Sequence, residues 1–172
     1  MTPIILGIDP GTRVTGYALL RKEERRFILL DYGCVRPPAS LKLSDRYLVL
    51  FNAVDRLIEL HAPTELAVES QFIPDTCKKN IQGVLKLGMA RGIALIAAKK
   101  RGLRVFEYSP AEAKKAVVGN GRASKSQVQG MVKSLLALSL LPPEDAADAL
   151  ALAICHFQSI GSLGHSIRGG EI

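Results

Sequence analysis

Pro3-Ile4-Ile5-Leu6-Gly7-Ile8-Asp9-Pro10-Gly11 is the stretch on which the reading of this chain turns. The apolar run over 3–8 is short and stops at an acid followed by Pro-Gly, a turn signal. It predicts a buried strand that delivers a carboxylate at its end. Runs rich in β-forming residues follow at 15–20 and 27–35, and the charged segment Arg21-Lys22-Glu23-Glu24-Arg25-Arg26 between them reads as a turn. Three strands on short connections predict an antiparallel meander.

Pro37-Pro38 closes that region. Leu43, Tyr47, Leu50, Val54, Leu57 and His61 then recur at spacings of three and four, which predicts an amphipathic helix over 41–61. A compact strand at 64–68 ends at Glu69, and 71–79 reads as a loop. A long apolar pattern over 80–101 predicts a helix, in which Gly83, Gly88 and Gly92 mark close packing. A strand at 103–108 follows. Ser109-Pro110-Ala111-Glu112 and Ser124-Lys125-Ser126-Gln127 are capping boxes that open two more helices, and Pro142-Pro143-Glu144 opens the last, to about Phe157. Helical crossovers between the later strands predict parallel pairing. The fold expected is α/β, a mixed five-stranded sheet (antiparallel meander plus parallel strands) flanked by helices. One domain is expected over 1–158, with a flexible tail over 159–172.

Composition narrows the function. The 172 residues suit a single domain, and 48% hydrophobic residues exclude disorder as the main state. With 23 Lys+Arg against 16 Asp+Glu the net charge is +7, which points to a polyanionic partner. Cys34, Cys77 and Cys155 are odd in number and form no Cys-x-x-Cys pair, against a disulfide framework or zinc ribbon. Asp9 precedes the first basic residue, Arg13, unlike a secretory signal, and no apolar run is expected to approach the ~18 residues of a membrane span. A cytoplasmic protein with no membrane partner is expected.

The acids carry the chemistry. Burying an unpaired carboxylate is costly, yet Asp9 ends the most apolar strand and Glu69 ends Leu66-Ala67-Val68. Asp145 and Asp148 sit among alanines in Asp-Ala-Ala-Asp-Ala-Leu-Ala, one helical turn apart on one face. Brought to one sheet edge, such acids repel unless a cation lies between them. Hard oxygen donors with no His or Cys nearby favour Mg²⁺ or Mn²⁺, and two such ions suit in-line attack on a phosphodiester. Taken singly, Asp9 also fits a turn, and Asp145 and Asp148 also fit a helix start that favours acids.

Gly7-Ile8-Asp9-Pro10-Gly11-Thr12-Arg13-Val14-Thr15-Gly16 resembles the opening of the RuvC family of Holliday-junction resolvases. Ala67-Val68-Glu69-Ser70-Gln71-Phe72 resembles the family's second acidic motif, and Leu85-Lys86-Leu87-Gly88-Met89-Ala90-Arg91-Gly92 its central helix. Val117-Val118-Gly119 through Lys125-Ser126-Gln127-Val128 resembles its basic segment, and Asp145-Ala146-Ala147-Asp148-Ala149-Leu150-Ala151 its terminal acidic motif. The resemblance implies a ribonuclease-H-like fold and a homodimer that nicks two strands of like polarity at four-way DNA junctions. It implies Asp9, Glu69, Asp145 and Asp148 as catalytic ligands of two Mg²⁺ ions per subunit, with Mn²⁺ as a substitute. Lys114 and Lys125 fall where the family carries functional lysines, Phe72 where an aromatic meets bases at the branch point, and Arg13 beside them as a DNA contact. RuvA and RuvB are the implied branch-migration partners. The chain departs from the family at Ile73-Pro74-Asp75-Thr76-Cys77, which lengthens the loop before Lys78-Lys79-Asn80. The glycine-rich helix near 83–92 is the candidate dimer surface.

Three other readings compete. A ribonuclease-H-like nuclease acting on structured RNA shares the opening Gly-Ile-Asp motif. Gly-x-Asp-x-Gly-Thr also resembles a phosphate loop of actin-like nucleotide-binding proteins, but the chain shows no second copy. A non-catalytic junction-binding scaffold would have no use for four intact acids.

Overall fold

The structure, a computed structural model, describes residues 3–24, 26–70, 81–161 and 170–172. Strands β1 (Ile4–Asp9), β2 (Thr15–Glu23) and β3 (Arg26–Val35) form the meander, followed by helix α1 (Leu43–His61) and strand β4 (Glu65–Glu69). Helix α2 (Ile81–Lys100), strand β5 (Arg104–Tyr108), helices α3 (Pro110–Val118), α4 (Lys125–Leu135) and α5 (Glu144–Gly161), and a two-residue β6 (Gly170–Glu171) complete the order. The sheet runs β3-β2-β1-β4-β5-β6. β1–β2 and β2–β3 pair antiparallel, while β1–β4 and β4–β5 pair parallel. The expected five-stranded mixed sheet is therefore present, with β6 added antiparallel on β5.

Alternation along each strand sorts side chains between two layers. Leu6, Ile8, Leu19, Leu66, Val68 and Val105 pack with α1 and α2. Ile5, Ala18, Leu20 and Ala67 pack with the layer built from α3, α4 and α5. α5 lies closest to the sheet, against two glycines. A Cβ on Gly7 would overlap the Ala149 carbonyl, and one on Gly16 would overlap the Asp145 carbonyl. These two missing side chains seat the acidic start of α5 over β1 and β2.

Three expectations shift. The charged segment 21–26 is not a wide turn, because β2 and β3 continue pairing through Glu23↔Arg26. The reversal falls between Glu23 and Arg26, with Glu24 at φ 50°, a left-handed geometry common in tight hairpins. Lys22 lies over the Phe27 ring, so its stem extends the ladder. α5 continues past Phe157 to Gly161. The expectation of no segment apolar enough for a bilayer is corrected by α2, whose 20 residues meet that length and composition with hydropathy 1.4. Its Ile, Leu, Val, Met and Ala residues raise the mean, while Lys86 and Arg91 interrupt the run. Ala90, Ala94, Ala97 and Ala98 bury one face on the sheet, which leaves Leu85, Met89 and Ile96 exposed.

Candidate active site

Asp9 and Glu69 end adjacent parallel strands, so both carboxylates arise at the same edge of the sheet. Strand alternation sends Asp9 to the side of Gly7 and Glu69 to the side of Ala67, both toward α5. After Asp9 the chain turns sharply. Thr15 is buried, and its hydroxyl donates to the Gly11 carbonyl at 2.8 Å while accepting from the Gly11 N–H at 3.2 Å. Arg46 of α1 donates to the Thr12 carbonyl at 2.6 Å and holds the turn from behind.

α5 brings the other acids. Asp9, Glu69 and Asp148 line one cavity of about 290 Å³ together with Lys114, Lys125, Pro110 and Val128. Asp145 stands one turn before Asp148, and its charge reaches Asp9. Lys114 comes from α3, and Lys125 is the first residue of α4. The two capping boxes matter here. Ser109 pairs reciprocally with Glu112, and Ser124 with Gln127, which fixes where each lysine-bearing helix starts.

Burial and like charge act together on the acids. Asp9 is pushed up to about 8, first by burial and then by Glu69, Asp148 and Asp145, with Lys125 opposing. Burial and then Asp148 raise Glu69, and Lys114 and Lys125 oppose the rise. Asp148 is also raised, chiefly by burial. Lys125 hydrogen-bonds Glu144 at 3.2 Å and stands 3.9 Å from Asp148, and the Glu144 bond is the main cause of its raised pKa.

Among the described residues no three acids already stand around one point at ligand distance. They share a cavity and a repulsive field. A donor set made of carboxylate oxygens, with raised proton affinity and no thiol or imidazole beside it, suits a hard divalent cation. Asp9, Glu69 and Asp148 are placed to hold one, with Asp145 beside them.

Arg13 is exposed on the turn after Asp9 and does not line the cavity. Phe72 and Lys78-Lys79 lie outside the described residues. Three residues near the acids escaped the sequence reading. Glu144 engages Lys125, Arg46 holds Thr12, and Arg91 of α2 donates from Nε to the Glu69 carbonyl at 3.2 Å. Each is a single charge on a helix. The only signal is for Arg91, a lone cation beside the buried alanines of α2.

A mixed sheet in this order, with acids ending its two central strands and a second pair on the last helix, defines a nuclease of the ribonuclease-H-like class. The comparisons narrow the class. The family model described as Crossover junction endodeoxyribonuclease RuvC matches residues 5–156. The Crossover junction endodeoxyribonuclease RuvC of Protochlamydia amoebophila (strain UWE25) is 58% identical over 156 residues, 90% of each chain. That of Ruminiclostridium cellulolyticum is 48% identical over 157 residues, 91% of this chain and 92% of the relative. The solved structure of T. thermophilus RuvC in complex with Holliday junction substrate superposes with a TM-score of 0.85 at 28% identity, covering 99% of both chains. The chain belongs to the RuvC family of crossover junction endodeoxyribonucleases.

Proposed function

We propose that this protein resolves four-way DNA junctions as a two-fold homodimer, each subunit hydrolysing one phosphodiester on strands of like polarity. The observation that carries the reading is the cavity in which Asp9, Glu69 and Asp148 face Lys114 and Lys125. Two divalent ions, Mg²⁺ with Mn²⁺ as substitute, would neutralise the acids, activate the attacking water and stabilise the leaving oxygen. Asp9, on which the charges of Glu69, Asp145 and Asp148 all act, would hold the ions together with those three acids. Lys114 and Lys125 take the charge of the phosphate near the cut. Arg13 contacts the backbone beside the site, and Phe72 stacks on a base at the branch point.

Paired cutting needs two equivalent sites, which a two-fold dimer supplies. The exposed stripe of Leu85, Met89 and Ile96 on α2 is an apolar surface that a second copy would cover. RuvA and RuvB are the partners that family membership suggests, and the cytoplasm the compartment.

The test is cleavage of a synthetic four-way DNA junction with Mg²⁺, beside linear duplex, structured RNA and a chelator control. Symmetric paired nicks in the junction alone, lost with chelator, are expected. Metal-dependent RNA cleavage without junction cutting would keep the fold and overturn the substrate.

A further inference from the structure

We propose that Arg91 is a positioning residue for Glu69, acting through the backbone of β4 and not through the carboxylate. The inference rests on the divalent-metal reading above. Arg91 lies in mid-α2, on the layer opposite α5. Its Nε donates to the Glu69 carbonyl at 3.2 Å, and its Nη2 pairs with the Glu107 carboxylate of β5. Glu107 stands beside Val68 in the parallel ladder, one register step before the Glu69↔Tyr108 pair. One rigid guanidinium therefore clamps two neighbouring strands where the ladder ends.

The clamp is placed to control a direction. Glu69 is the last residue of β4, and Ser70 N–H donates to the Tyr108 carbonyl at 2.8 Å. With that amide and the Glu69 carbonyl both held, the peptide plane after Glu69 is fixed, and so is the bearing of its Cβ toward α5. The charges that act on the Glu69 carboxylate are those of Asp148, Lys114 and Lys125. Glu107 neutralises Arg91 locally, so the side chain orients the ligand without competing for the cation. The Arg91 side chain is only 17% exposed, and the planar fork gives two fixed donors where lysine gives one point. Arg46 makes the corresponding bond from α1 to the turn after Asp9.

The experiment measures Mn²⁺ binding to the DNA-free protein by the loss of the free-ion EPR signal. Arg91→Lys keeps the charge and breaks the two-point clamp. It should weaken Mn²⁺ binding about tenfold, the usual scale for a group that orients a ligand. The Mg²⁺ concentration for half-maximal cleavage should rise by the same factor, with the rate at saturating Mg²⁺ within about threefold of the parent. Glu107→Gln, which leaves the carbonyl bond but frees the guanidinium, should give a smaller shift in the same direction. Arg101→Lys is the control, because Arg101 makes a bidentate pair with Asp55 just after α2 and faces none of the acids. It should lower the melting temperature without moving Mn²⁺ affinity. Parent-like Mn²⁺ affinity in both Arg91→Lys and Glu107→Gln would overturn the inference alone. Absence of Mn²⁺ binding by the parent would overturn the metal reading beneath it, and the inference with it.

Discussion

Glu65 and Glu69 stand at opposite ends of β4, on the same face of the same strand, and have opposite fates. Glu65 is 1% exposed and fully partnered. It accepts from His156 Nε2 at 2.8 Å and pairs with Arg104, while Tyr108 O–H reaches His156 Nδ1 at 2.6 Å. Burial and then Arg104 hold His156 down to about 4, so its ring is neutral at pH 7, with the proton on the nitrogen facing Glu65. Glu69, at the other end, faces Asp9 and Asp148 across an open cavity. The matching positions on α5 are His156 and Asp148. Four strand residues span ~13 Å and eight helical residues ~12 Å, so one helix serves both ends of one strand. A buried acid among donors is a structural tie. The same acid among acids is a site that calls for a cation.

The largest effect that tests this contrast is on cleavage. Asp9→Asn or Asp148→Asn should lower single-turnover junction cleavage at least ~10³-fold, roughly 4 kcal/mol of barrier. Junction affinity should change little, because phosphate contacts carry it. Glu65→Gln should leave cleavage per folded molecule within a few-fold of the parent. An equal loss at Glu65 would break the comparison, since both ends of β4 would then belong to the chemistry.

Stability should divide the two ends the other way. Glu65→Ala or His156→Ala strips a buried network of one partner, which costs about 3 kcal/mol. For a domain of this size that lowers the melting temperature by roughly 6–12 °C. Asp9→Asn removes a group that its neighbours repel, so the metal-free protein should melt higher than the parent. Thermal unfolding with a chelator present checks both signs. A Glu65→Ala protein as stable as the parent would show that the network contributes nothing.

How much of this the sequence carries follows from the range of each contact. Strand-borne acids after apolar runs are local patterns, so Asp9, Glu69 and the Asp145/Asp148 pair were legible, as were the capping boxes that place Lys114 and Lys125. The meander and the crossovers followed from element order. Glu65 was not singled out, although it differs from Glu69 by only four positions. Its partner His156 lies 91 residues away, and no spacing rule joins them. His156 sits in the apolar run of the last helix, where nothing local signals either of its hydrogen bonds. Arg91 escaped for the same reason, since its partners lie on two other strands. The sequence understates the hairpin because a run of charges resembles a turn, while the strands keep pairing through Glu23↔Arg26 and Lys22 lies over the Phe27 ring.

The smallest effect concerns protons. Asp9 in the metal-free fold is pushed up to about 8, above its ordinary 3.8, by burial first and by Glu69 next. Between those values the folded state holds a proton that the unfolded chain has released, so stability falls as pH rises through that window. Moving the metal-free parent from pH 6.5 to pH 8.5 should therefore cost on the order of 2 kcal/mol from this group. Asp9→Asn should flatten that slope. A divalent cation that binds Asp9 at pH 7 must displace the proton, so Mn²⁺ binding should release about one proton, read from calorimetry in buffers of different ionisation enthalpy. No such release is expected at the Glu65 end, where the acid is already paired. If parent and Asp9→Asn lose stability in parallel with pH, the burden lies on another acid of the cluster, and Glu69 or Asp148 becomes the group to substitute next.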